Sequence, residues 1–126
     1  MSVADVLIAD DDPENTDMYA SVLRNSDYNV RTVSDGLEAL RAIEMSMPDV
    51  LIIDYQMPYL NGIEVLKGAA EKKLIPPVVI MLTGSHMQTS EQVKMIRPHV
   101  DLLLAKPYSP FLMKKIVDQF AARGRG

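Results

Sequence analysis

Four short runs of unbroken apolar residues set the limits on what this chain can fold into: Val6-Leu7-Ile8-Ala9, Val50-Leu51-Ile52-Ile53, Val78 to Leu82, and Leu102 to Ala105. Each is too short for a helix to dominate. None alternates polar with apolar, so a strand built from one is covered on both faces, as in a parallel sheet flanked by helices. Amphipathic stretches separate the runs, and a weaker, more polar run from Tyr28 to Val33 suits an edge strand. The reading is five strands and five helices in (βα)5 order, an α/β, doubly wound, flavodoxin-like fold. Right-handed crossovers then give a five-stranded parallel sheet in order 2-1-3-4-5, with a switch point between the first and third strands.

Local signals place the helices. Asp12 is the N-cap of the first, with Pro13 at the first helical position, where a missing N–H costs nothing, and the helix ends near Asn25. The second starts at Ser34, buries a stripe of Leu37, Leu40, Ile43 and Met47, and stops before Pro48. Asn61 opens the third, with Glu64 three places on in a capping-box arrangement. The fourth is expected between Thr89 and Ile96, ended by Pro98. Ser109 caps the fifth, Pro110 begins it, and Leu112, Met113, Ile116, Val117 and Phe120 form its buried face. The nine methionines are expected mainly in helix core, with Met87 and Met95 available to an adaptable binding face.

Length and composition narrow the class. The 126 residues suggest one domain, read as 1–122, with 123–126 (Arg-Gly-Arg-Gly) as a flexible tail or the start of a linker. No cysteine is present, which excludes disulfides and thiolate metal sites. No apolar stretch approaches the roughly 20 residues that span a bilayer, and no signal peptide is evident, so no membrane partner and a cytoplasmic location are expected. A net charge of −4 argues against direct nucleic-acid binding. The string Gly84-Ser85-His86-Met87 lies mid-chain and is taken as native. His86 and His99 read as solvated loop residues, since neither has the partners of a metal site.

The run ends carry the chemistry. The first ends in Asp10-Asp11-Asp12, the second in Asp54, the third in Thr83 and the fourth in Lys106. A parallel sheet brings these to one edge, where such folds place their sites. Any one alone is bland: Asp12 is explained as a cap, Thr83 as a turn hydroxyl, Lys106 as a solvated amine. Their joint position at strand ends is not explained that way. Two carboxylates about 4 Å apart repel by roughly 4 kcal/mol at an effective dielectric of 20, so the cluster calls for a cation. With oxygen ligands only, Mg2+ is the natural choice and Mn2+ a substitute. A cation, a carboxylate nucleophile, a hydroxyl and an ammonium suffice for in-line phosphoryl transfer. Asp54 would be the phosphoacceptor. Asp10, Asp11, Asp54 and the Gln56 backbone carbonyl would hold the metal, Lys106 would neutralise a phosphate oxygen, and Thr83 would hydrogen-bond the acyl phosphate.

These residues resemble the receiver domain of two-component response regulators over essentially the whole chain. Four elements carry the resemblance: Asp10-Asp11, Asp54-x-x-Met57-Pro58 with Gly62, Thr83, and Lys106-Pro107. It implies transfer from a phosphohistidine of a sensor histidine kinase or phosphotransfer protein to Asp54, with Mg2+ required. It also implies a cis Lys106-Pro107 bond and small acyl phosphates as alternative donors. Such a protein is not an enzyme beyond its own phosphorylation and dephosphorylation. It acts on a downstream protein or output domain through the fourth helix, fifth strand and fifth helix, or by phosphorylation-dependent homodimerisation. Leu103 departs from the aromatic residue usual three places before the lysine, and Arg97 to Asp101 departs from the usual turn. Gln56 and Ser85 hold positions that tune phosphoryl lifetime in the family.

Three other readings compete. A haloacid-dehalogenase-type phosphohydrolase shares the Asp-x-Asp start but needs a later acidic pair that is missing after Lys106. A flavodoxin-like carrier needs a phosphate loop that three aspartates would repel. A receiver-like interaction module that is never phosphorylated is favoured only by Leu103.

Overall fold

The computed structural model describes residues 4–84 and 90–125. Ser85, His86, Met87 and Thr89, named above, lie outside the described residues. The elements run β1 (Asp5–Ala9), α1 (Pro13–Arg24), β2 (Asn29–Val33), α2 (Gly36–Met45), β3 (Val50–Asp54), α3 (Gly62–Glu71), β4 (Val78–Thr83), α4 (Ser90–Ile96), a 3-10 turn (Arg97–His99), β5 (Leu102–Ala105) and α5 (Pro110–Arg125). The sheet is parallel throughout and ordered β2-β1-β3-β4-β5. Both fold class and strand order are those read from the apolar runs.

The burial pattern explains why the runs are unbroken. β3 and β4 are buried along their whole length. Strand alternation splits their side chains between two half-cores. Leu7, Leu51, Ile53, Val79 and Met81 pack with α2, α3 and Ile96 of α4 on one face. Val6, Ile8, Ile52, Ile80 and Leu82 pack with α1 and α5 on the other. β2 lies at the edge, and its polarity has a use. The Arg31 guanidinium donates to the carbonyls of Ala42 and Ser46, at 3.0 and 2.6 Å, satisfying the free end of α2.

Several local expectations need correction. α2 is capped by Asp35 rather than Ser34. The Asp35 side chain accepts from Glu38 N at 2.8 Å, and the Glu38 carboxylate accepts from Ser34 N. The buried face of α2 is Gly36, Ala39 and Ile43, with Leu40 partly buried, while Leu37 and Met47 are exposed. Small residues face inward because the start of α2 lies hard against the β3–α3 loop. In α5, Met113 and Val117 are buried and Leu112 is exposed, one residue around the helix from the inward face. Methionine is also not mainly helix core: Met18, Met45, Met47 and Met95 are exposed, and buried Met81 belongs to β4. Pro98 sits within the 3-10 turn that follows α4. α5 is helical through Arg125, past Ala122 and into the segment expected as tail or linker. Among the described residues, no helix is long and apolar enough to cross a membrane.

Candidate functional site

The carboxyl ends of β1, β3, β4 and β5 deliver Asp10, Asp54, Thr83 and Lys106 to one edge of the sheet. Asp10, Asp54 and Thr83 are buried, and Asp11 is exposed at the rim. One carboxylate oxygen from each of Asp10, Asp11 and Asp54 lies within 4.8 Å of the other two. Lys106 Nζ is 2.7 Å from Asp54 Oδ2 and 3.3 Å from Asp10 Oδ2.

Asp10 is oriented by its own loop. Its Oδ1 accepts the Asp12 backbone amide at 2.9 Å, the side-chain-to-backbone bond that aspartate readily makes two residues on. Asp12 therefore has two structural tasks, since its side chain also caps α1 by accepting from Glu14 N at 3.0 Å. The other Asp10 oxygen, Oδ2, is buried without a hydrogen-bond partner. Lys106 is close enough to attract it but is aligned on Asp54. An unsatisfied buried carboxylate oxygen is costly, and a hard cation is the partner it suits. The three-carboxylate donor set thus fits a magnesium-like ion.

Burial pushes the Asp54 carboxyl above the usual carboxylate range. The hydrogen bond and charge of Lys106 oppose this, Asp10 adds to it, and the Gln56 backbone amide opposes it through a hydrogen bond to the carboxylate. Burial alone would lower the Lys106 ammonium, but its hydrogen bond to Asp54 and the charges of Asp54 and Asp10 outweigh this and hold it above its ordinary value. An anionic pocket therefore retains a protonated lysine. Beside Asp11 a cleft of about 570 Å3 opens, walled in part by Tyr55, Gln56 and Pro58.

Tyr19 is a contributor that sequence reasoning missed, because an aromatic on the buried face of α1 looks like plain core. Its O–H donates to the Tyr108 carbonyl at 2.7 Å and so ties α1 to the loop that follows Lys106. Burial, and next the nearby Asp10, raise its pKa and keep that donor protonated. The Lys106-Pro107 peptide is cis. Leu103 is partly buried, pairs in register with Met81 and packs on the α2–α3–α4 face of the sheet. Met95 and His99 are exposed.

The family profile of the response regulator receiver domain matches residues 6–118, and the chain belongs to that family. Among curated relatives it is 35% identical over 105 residues to the alkaline phosphatase synthesis transcriptional regulatory protein PhoP of Bacillus subtilis, covering 83% of this chain and 43% of that protein. It is 31% identical over 120 residues to the DNA-binding response regulator MtrA of Mycolicibacterium smegmatis, covering 95% and 50%. The chain thus spans about half the length of these relatives or less. Among solved structures, the Francisella response regulator 1452 receiver domain superposes with a TM-score of 0.84 at 29% identity, covering 95% of this chain and 98% of that one.

Proposed function

We propose that this receiver domain takes a phosphoryl group from the phosphohistidine of a sensor kinase or phosphotransfer protein onto Asp54 and thereby switches a protein-interaction surface. The observation that carries this reading is the buried Asp54 carboxylate held between Lys106 and two further acids. In the transfer, an Asp54 oxygen bonds to phosphorus as the phosphorus–nitrogen bond breaks, and the leaving imidazole keeps the electron pair and takes up a proton. Lys106 stays protonated and faces the phosphoryl oxygens, and Thr83 donates its hydroxyl to the product. Asp10, Asp11, Asp54 and the Gln56 carbonyl would hold Mg2+, or Mn2+ in its place. When bound, the ion supplies charge neutralisation for the transferred group. Intact mass after treatment with acetyl phosphate and Mg2+ tests the reading. A single phosphoryl adduct is expected, and its absence counts against the proposal.

The metal roles are separable. Asp11→Asn should weaken Mg2+ binding at least tenfold, from a dissociation constant of about 1 mM or below that suits an open, hydrated site. Asp12→Asn should leave Mg2+ affinity near that of the parent, because the Asp12 side chain is engaged as a helix cap. Calorimetric titration distinguishes them, and equal losses would contradict the assignment.

Output is proposed to run through α4, β5 and α5, which adjoin Thr83 and Lys106. A phosphoryl group shifts this surface only by interacting differently with its two states. A charge-assisted hydrogen bond of about 1.5–3 kcal/mol from each residue is enough to change the dominant state. Leu103 must repack without an aromatic swing, so the change should be small and concentrated between Gly84 and Arg97. Thr83→Ala should accept phosphate at near the parent rate yet lose most of this response. Amide shifts with beryllofluoride, an acyl-phosphate mimic, report it, and a full response in Thr83→Ala would refute the route.

Of the two curated relatives above, one is named a transcriptional regulatory protein and the other a DNA-binding response regulator. Any nucleic-acid contact in a longer protein containing this chain is assigned here to sequence beyond the receiver. Within the receiver itself, the net charge of −4 disfavours it.

A further inference from the structure

The loop between β3 and α3 is held more tightly than its length suggests. Gly62 N–H donates to the Tyr55 carbonyl at 2.7 Å, closing the loop at its base. At its tip, Leu60 N–H donates to the Pro58 carbonyl at 2.9 Å across Tyr59, whose φ is 71°. That is a γ-turn of the rare, strained hand, occupied by a bulky residue that gains no compensating burial, since Tyr59 is 76% exposed. The same Pro58 carbonyl accepts Gly36 N–H, at 3.2 Å, from the start of α2. Gly36 is also where the turn lies hardest on the helix: a Cβ there would sit 2.1 Å from the Leu60 carbonyl oxygen and 2.6 Å from Leu60 Cβ.

From this we infer that Gly36 is a positioning residue for the divalent-cation site, acting through the Pro58–Leu60 turn on Gln56. The inference rests on the proposed reading of the acidic pocket as a Mg2+ site. A methyl group at position 36 must push the Leu60 backbone away, because the first atoms it meets are backbone and not the end of a flexible chain. The displaced loop has little room at its α3 end. There Gly62 already lies so close that a Cβ would be 2.9 Å from the Asp54 carbonyl oxygen and 3.2 Å from Tyr55 Cα, and the Asn61–Glu64 capping box fixes the helix start. The movement is therefore passed to Gln56, which lies between the Tyr55–Gly62 closure and the turn and whose carbonyl is the metal ligand proposed above. The strain at Tyr59 is then the cost of seating the turn on α2, as strained backbone beside functional sites commonly is.

The test is Mg2+ titration of the whole chain, followed by calorimetry and by the Gln56 amide resonance, at a temperature where each variant is folded. Gly36→Ala should lower Mg2+ affinity about tenfold, the scale on which groups that orient metal ligands act. Tyr59→Pro should do the same without touching the core, because proline cannot adopt a positive φ and the turn must open. Gly68→Ala is the control: the three atoms nearest its added Cβ all belong to the flexible Leu40 side chain, at 3.1 Å and beyond, so Mg2+ affinity should not change. Unaltered affinity in Tyr59→Pro overturns the inference, even if Gly36→Ala fails to fold. An equal loss in Gly68→Ala also overturns it, as a general effect of helix perturbation. No Mg2+ binding by the parent chain would instead remove the metal reading beneath it.

Discussion

Replacing Asp54 with Asn should abolish the phosphoryl adduct formed from acetyl phosphate and yield a more stable protein at neutral pH when divalent cations are absent. The first effect follows from loss of the nucleophile. The second follows from burial. In the folded chain the Asp54 carboxyl is raised above its usual range, first by desolvation, despite the opposing bond from Lys106. The folded state therefore holds that proton more tightly than the unfolded state does. Ionisation thus costs stability, beginning as pH rises through the unfolded value near 3.9 and complete above the folded pKa. Asn removes the charge and still accepts from Lys106, which keeps Asp10 as an ionic partner. A gain of about 1 kcal/mol, or roughly 3–5 °C in Tm, is expected at pH 7. It should vanish below about pH 3.5, where both states of the parent carry the proton. Thermal melts across pH in EDTA test the sign, and a variant less stable than the parent at pH 7 would show that the Asp54–Lys106 pair outweighs the burial cost.

Lys106→Ala should act in the opposite direction. It strips the counter-charge from two buried carboxylates at once, Asp10 and Asp54. Breaking a buried pair on one side commonly costs about 3–5 kcal/mol. Partial exposure of Lys106 and proton uptake by the acids argue for the lower end, about 3 kcal/mol, or roughly 10 °C. The loss should shrink as pH falls and the carboxylates protonate. Mg2+ should restore a larger share of stability to this variant than it adds to the parent, because the ion no longer competes with an ammonium for the Asp10 and Asp54 oxygens. Phosphorylation should nonetheless slow by about 100-fold, the scale on which one fixed charge-stabilising group acts. Equal Mg2+-induced shifts in Tm for variant and parent would show that lysine and cation do not share these oxygens.

The sequence was legible where burial is two-sided and the signal is continuous. β1, β3, β4 and β5 announce themselves as unbroken apolar runs, and the polar residue closing each run marks the same edge. Caps at Asp12, Asn61 and Ser109 were readable because side-chain oxygen meets free N–H within one turn. What was not readable depended on neighbours distant in sequence. Leu37 and Met47 fit a helical period, but the inward face of α2 is set by how closely the β3–α3 loop approaches, which favours Gly36 and Ala39. The Asp35 cap was overlooked because Ser34, next to it, is an equally good capping residue. Within the pocket, the types of the acids and the lysine pointed to the chemistry. The orientation of Asp10 by the Asp12 amide, the tie from Tyr19 to the Tyr108 carbonyl and the strained turn at Tyr59 depend on where the backbone runs, which residue type does not reveal.

The two half-cores carry a consequence for sequence drift. The sheet is a wall between them, with Leu103 on one side and Leu102 and Leu104 on the other. Among the described residues the buried side chains fall into two separate clusters, one on each side, so a change of side-chain volume in one half is answered by neighbours in that half. Each half can therefore accumulate its own compensating substitutions, while the row of polar groups at the wall's upper edge keeps its spacing through the backbone of the strands alone. Such partitioning gives a physical reason why this chain superposes on the Francisella receiver domain with a TM-score of 0.84 at only 29% identity.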